Sequence, residues 1–218
     1  MMMPMVDEEP GAPPLVEVVG ATVRFPAELA LDRVDFRMFP GEVHSLMGEN
    51  GAGKSTLIKA LTGALPLDAG VIRLGGEQVR FGTPHDALEA GISTVYQEID
   101  LLPNLTVAEN IWLGREPRRL GVIDWRRMRA DAREVLVDLG LHIDPASQLG
   151  SHSLAVQQLV AIARAIRAEV KVLVLDEPTS SLDLDEVAEL FRVIRELKQR
   201  GVAILFVSHF LDQVYEIC

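Results

Sequence analysis

The stretch GENGAGKST, residues 48–56, carries the densest chemistry in the chain. It fits the pattern G-x-x-x-x-G-K-[ST] through Gly48, Gly53, Lys54 and Ser55. Glycines let backbone N–H groups close around phosphate oxygens, and a helix N-terminus adds partial positive charge. Glu49, Asn50, Gly51, Ala52 and Thr56 complete the cradle. Lys54 is expected to reach the β- and γ-phosphates of a nucleotide, and the Ser55 hydroxyl to bind Mg²⁺. A strand, EVHSLMG (42–48), leads in, and a helix, KSTLIKALTG (54–63), leads out and stops at Gly63.

Further downstream, KVLVLDEP (171–178) is an apolar run closed by two carboxylates. Asp176 at a strand end can hold Mg²⁺ through water, and Glu177 can orient or deprotonate an attacking water. Two such acids without a phosphate loop would read as a solvated strand end. His209 closes a second apolar run, VAILFVSH (202–209). It is either a surface residue or a donor to a γ-phosphate, since parallel strands bring their C-terminal ends to one edge. Gln97 follows the strand ISTVYQ (92–97) and is either a loop residue or a ligand to metal or water. Phe25 is either core or an aromatic that stacks on adenine. Ser153 opens the helix of HSLAVQQLVAIARAI (152–166). It is either an N-cap or, with that helix's positive end, a contact to an anion.

The elements that must position these groups follow from periodicity. Leu159, Ile162, Ala163 and Ile166 form the apolar stripe of a helix. Helices are also expected over 84–91, 124–139, 153–168 and 184–199, and a strand and turn over 71–76. Continuous apolar strands alternating with helices predict an α/β fold whose mainly parallel sheet is covered on both faces. The mostly helical segment of about 99–168 is expected to form a subdomain of its own. Residues 1–14 read as a disordered tail.

Composition narrows the partners. Lys+Arg is 21 against Asp+Glu 32, a formal balance of −11. That argues against nucleic acid or an anionic membrane surface as the main partner. The sole cysteine, Cys218, leaves no intrachain disulfide and fits a reducing compartment. No run of about 18 apolar residues occurs, so no spanning helix is expected.

The order of these motifs, from phosphate loop through Gln97, the helix after Ser153 and VLVLDEPTSSLD to the closing SH, resembles the ATP-binding-cassette ATPases. The resemblance runs from about residue 15 to the end. It implies a phosphate-loop NTPase core of RecA type, an N-terminal antiparallel β subdomain and a helical subdomain within 15–218. It also implies roles. Phe25 matches the adenine-stacking aromatic, Gln97 the glutamine-loop residue, Glu177 the catalytic glutamate and His209 the switch histidine. Ser180, Ser181, Leu182 and Asp183 match the D-loop. The family's signature pentapeptide L-S-G-G-Q is here His152 to Val156, and only Ser153 matches. In the family that serine faces the nucleotide of an opposite cassette. A residue larger than glycine at Leu154 and Ala155 restricts close approach of the backbone.

Loosened signatures of this kind resemble the monosaccharide-importing branch, with galactofuranose importers nearest and ribose, xylose and galactose importers next. That branch implies MgATP hydrolysis driving import and a second cassette in the same polypeptide or a dimer. It also implies a transmembrane permease contacted after Gln97, a periplasmic sugar-binding protein met indirectly, and a peripheral place on the cytoplasmic face of the inner membrane. By the same resemblance, strands are expected beyond Cys218. Two alternatives stay open: a soluble cassette ATPase outside transport, and a nucleotide-binding regulator with little turnover.

Overall fold

The computed structural model describes residues 13–48, 51–96 and 101–218. Most of the expected tail, residues 1–12, lies outside them. The chain begins with β1 (Val16–Phe25), β2 (Glu28–Met38) and β3 (Val43–Ser45), then α1 (Lys54–Leu61). Next come β4 (Ala69–Leu74), β5 (Glu77–Val79), α2 (Pro84–Glu89) and β6 (Ile92–Val95). A largely helical stretch holds α3 (Val107–Trp112), a hairpin of β7 (Arg118–Arg119) and β8 (Val122–Ile123), α4 (Trp125–Asp138) and α5 (Leu154–Arg167). The chain closes with β9 (Val172–Asp176), α6 (Leu184–Gln199), β10 (Ala203–Val207) and α7 (Leu211–Ile217).

Two sheets organise these elements. One is parallel throughout, in the order β3-β10-β9-β6. The other is antiparallel, in the order β2-β1-β4-β5. The mainly parallel α/β core and the antiparallel β layer are therefore both present. The apolar runs are explained by burial on both faces. Leu173, Leu175, Ile204 and Phe206 point into a core built with α3, α4, α5 and α6. Val172, Val174, Ala203, Leu205 and Val207 point the other way, into a second core shared with α1 and with β1 and β2. Strand alternation separates the two sets residue by residue. On the helical side, Phe191 of α6 meets Phe206 edge-on, ring centroids 5.8 Å apart.

This layering aims the site. β3, β9 and β10 run in parallel, so the residues after their C-terminal ends gather at one edge. The loops at that edge carry residues 46–48 and 51–53, 177–183 and 208–210. Among the described residues, no helix is long and apolar enough to cross a membrane.

Candidate nucleotide site

The phosphate loop is shaped by its glycines. Gly48, Gly51 and Gly53 have φ of 154°, 86° and 84°, values that L side chains adopt rarely. Gly53 is the N-cap of α1 and supplies no capping side chain. The helix thus begins with backbone N–H groups facing the loop, the arrangement that receives an anion. Gly53 also lies hard against β2: a Cβ there would stand 2.6 Å from the Ala30 carbonyl oxygen. Lys54 Nζ donates to the Gly48 carbonyl oxygen at 2.5 Å, so its ammonium lies across the loop. Ser55 is exposed and Thr56 half-buried at the start of α1. Glu49, Asn50 and Gln97 lie outside the described residues.

Asp176 ends β9 beside this loop. Burial and the neighbouring Glu177 charge push its carboxyl above the usual carboxylate range, and Lys54 pulls the other way. A half-buried acid next to a second acid favours a cation. Among the described residues, no three His, Cys, Asp or Glu side chains gather into a metal site. One or two carboxylates completed by a hydroxyl and by phosphate oxygens is the donor set that suits Mg²⁺. Loop, lysine and carboxylates together therefore fit a magnesium-bound nucleotide.

The raised pKa has a consequence for stability. A carboxyl whose folded pKa exceeds its unfolded value destabilises the fold above the raised value, and the penalty vanishes below the ordinary one. At neutral pH the charged Asp176 is therefore a local cost. Asp176→Asn is expected to raise the Tm of the nucleotide-free protein at pH 7 and to lose that advantage as pH falls below the ordinary range. Thermal unfolding at both pH values checks this, and an unchanged or lower Tm at pH 7 contradicts it.

Glu177 follows with φ of 48°, a left-handed conformation uncommon for a residue with a side chain. Its N–H donates to the Val207 carbonyl of β10 at 2.9 Å. His209 Nδ1 lies 3.5 Å from Glu177 Oε1, and the His209 ring packs on Phe210 at 4.0 Å between centroids. The structure thus brings Lys54, Asp176, Glu177 and His209 to one edge. Phe25 ends β1 at the hairpin turn opposite Glu28 and is 41% exposed, which removes the core reading. Its hairpin partner β2 is the strand that abuts Gly53.

Ser153 and Asp183 belong to other elements. Ser153 caps α5, its Oγ accepting the Val156 N–H at 3.4 Å, a long bond on an exposed residue. Ala155 behind it is buried and Leu154 is exposed. Asp183 caps α6 in a reciprocal box with Glu186, so its carboxylate already accepts the Glu186 N–H at 2.9 Å. The D-x-x-E spacing from Asp183 to Glu186 signals that box, a role the functional reading had not assigned. Sequence reasoning also missed Thr179 and Gln213, whose side chains bond across 34 positions.

Away from this edge, a cleft of about 310 Å³ opens where β6, α3 and α5 meet. Tyr96, Ile111, Trp112, Arg115, Arg164 and Arg167 line it. The Arg167 guanidinium stacks over the Trp112 ring at 3.8 Å.

Fold and site together define a phosphate-loop nucleotide-binding protein. The chain belongs to the ABC transporter family, whose model matches residues 31–180. It is 56% identical over 205 residues to the fructose import ATP-binding protein FruK of Bifidobacterium longum, covering 94% of this chain and 40% of that relative. It is 52% identical to the ribose import ATP-binding protein RbsA 1 of Rubrobacter xylanophilus, covering 94% and 41%. It is 49% identical to the galactofuranose transporter ATP-binding protein YtfR of Escherichia coli, covering 93% and 41%. The chain thus spans about two fifths of the length of these curated relatives. Among solved structures, a nucleotide-free ATP-binding cassette from an ABC transporter matches with a TM-score of 0.82 at 26% identity, covering 94% of this chain and 85% of that one. Another cassette, in its ADP conformation, matches with a TM-score of 0.83 at 27% identity, again over 94% and 85%.

Proposed function

We propose that this chain is an ATP-hydrolysing cassette that powers import of a monosaccharide. The observation that carries the reading is the convergence of Lys54, Asp176, Glu177 and His209 beside the phosphate loop. The relatives' names support transport over the non-transport alternatives.

The chemistry follows from the donors. Backbone N–H groups of residues 48–56 receive the phosphates, Lys54 neutralises their charge, and Phe25 stacks on adenine. The Ser55 hydroxyl, Gln97 and, through water, Asp176 would hold Mg²⁺, which supplies charge neutralisation on the phosphate oxygens when bound. Glu177 orients the attacking water and accepts its proton. His209, within reach of Glu177, donates toward the terminal phosphate. A second cassette offers Ser153 and the N-terminus of its α5 to the same phosphate, with Asp183 at the shared boundary. Closure on ATP and reopening after hydrolysis then drive membrane partners.

For those partners, the cleft between Tyr96 and Arg167 is the candidate permease contact. Its lining includes Tyr96, next in sequence to Gln97. A periplasmic sugar-binding protein meets the chain only through the permease. The place implied is the cytoplasmic face of the inner membrane. The relatives are named for fructose, ribose, galactofuranose and arabinose, so the reading covers monosaccharides as a class, galactofuranose among them.

The test is uptake. Cells lacking the gene are expected to lose ATP-dependent uptake of one labelled sugar from a panel of these four, and the tagged protein to co-purify with an integral membrane permease. Unchanged uptake of every sugar, with no membrane partner, overturns the import reading.

A further inference from the structure

Gln213 sits on α7, outside every motif that marks the site. Its amide oxygen accepts two hydroxyl protons, from Thr179 Oγ1 at 2.6 Å and from Ser208 Oγ at 3.5 Å. Thr179 and Ser208 are 3% and 6% exposed. Ser208 Oγ already accepts the Phe210 N–H at 3.1 Å, which leaves its proton to give. The Gln213 amide is oriented with its oxygen, not its NH₂ group, toward both hydroxyls.

These bonds join two segments that matter. Thr179 belongs to the turn that begins at Glu177, where the Ser180 N–H returns to the Glu177 carbonyl at 3.3 Å and the Leu182 N–H to the Thr179 carbonyl at 3.2 Å. That turn starts from the left-handed Glu177 backbone, a conformation that persists only where its surroundings hold it. The Glu177 N–H bond to Val207 ties one end to β10. The buried Thr179 hydroxyl is the side-chain tie at the other end. Ser208 immediately precedes His209. One amide oxygen thus ties the Glu177 turn through a short bond to Thr179 and reaches the His209 loop through a longer one to Ser208.

We infer that Gln213 is a positioning residue for hydrolysis, holding Glu177 and His209 at their mutual distance through Thr179 and Ser208. This rests on the ATPase reading above. Gln213 acts through those two hydroxyls, so its loss should act on kcat and spare affinity.

The experiment measures kcat and KM for ATP in the full native protein and in Gln213→Leu, Gln213→Glu and Thr179→Val. Leucine matches the size of glutamine and cannot accept a hydrogen bond, so kcat is expected to fall about tenfold with KM within about twofold. Glutamate keeps an acceptor, and kcat should return to within about twofold of the parent. Thr179→Val removes the same bond from the other side. It should match Gln213→Leu, and the double variant should be no slower than either single one. It also carries the test if the Leu variant fails to fold, with Tm measured for each. Parental kcat in Gln213→Leu or Thr179→Val overturns the inference, as do losses that multiply in the double variant. A parent with no hydrolysis overturns the ATPase reading itself, a result separate from any difference among variants.

Discussion

Glu177→Gln is expected to lower kcat for ATP hydrolysis by about 10²- to 10⁴-fold, the usual size of a general base. The substitution keeps the side chain's shape and removes its capacity to take a proton from water. The Glu177 side chain is 30% exposed, so solvent reaches it, and His209 lies 3.5 Å away. Binding responds in the opposite direction. The Glu177 charge is one of the two causes that raise the Asp176 pKa. Asp176 is already charged at neutral pH, and removing the Glu177 charge relieves the like-charge crowding against it without removing a donor proposed to hold Mg²⁺. MgATP affinity should therefore hold or tighten while turnover collapses, and a cassette pair closed on ATP should accumulate. Single-turnover hydrolysis and equilibrium nucleotide binding on the same preparation separate the two effects. Turnover at the parental rate removes Glu177 from the mechanism. A fall in affinity that parallels the fall in rate makes it a ligand for the nucleotide.

What the sequence disclosed about this site follows how far apart the cooperating residues are. The phosphate loop was legible because its turn, its lysine and its helix start lie within residues 48–56. β9 and β10 were legible because burial on both faces leaves an unbroken apolar run, VLVL in one and AILFV in the other. Their register placed the residues after both strands at one edge without any side-chain detail. Of the antiparallel layer only β4 was legible locally, as the strand and turn over 71–76, and the rest came from family resemblance. β1 carries register shifts against β2 between Val18 and Ala21, between Ala21 and Val23, and between Val23 and Arg24. Each shift breaks the alternation by two on which strand recognition depends. α3, Val107–Trp112, is too short for a helical stripe. Its Thr106-x-x-Glu109 capping box was the available signal. The Thr179–Gln213 bond has no local signature, because only the tertiary fold brings β9's turn and α7 together.

Gly53→Ala is expected to damage stability and nucleotide binding together, because two independent costs meet at one Cβ. The φ of 84° disfavours any L side chain by about 1–2 kcal/mol. The methyl would also stand 2.6 Å from the Ala30 carbonyl oxygen and 2.9 Å from Leu31 Cδ2, so the loop must move off β2. Overpacking of that kind costs about 1–3 kcal/mol more. The displaced loop carries the first turn of α1, whose N–H groups are proposed to receive the phosphates. Gly51→Ala is the control. Gly51 has nearly the same φ, 86°, and among the described residues, its chain neighbours aside, no heavy atom lies within 4 Å of its Cβ position. It should show the conformational cost alone, about 1–2 kcal/mol. Urea unfolding of both variants, with MgATP binding by each, measures the difference. If Gly53→Ala is the less stable by about 1–3 kcal/mol and binds more weakly, the phosphate loop is held by its seat on the antiparallel sheet. Equal losses in the two variants would mean that β2 yields to the methyl and that backbone conformation alone sets the loop.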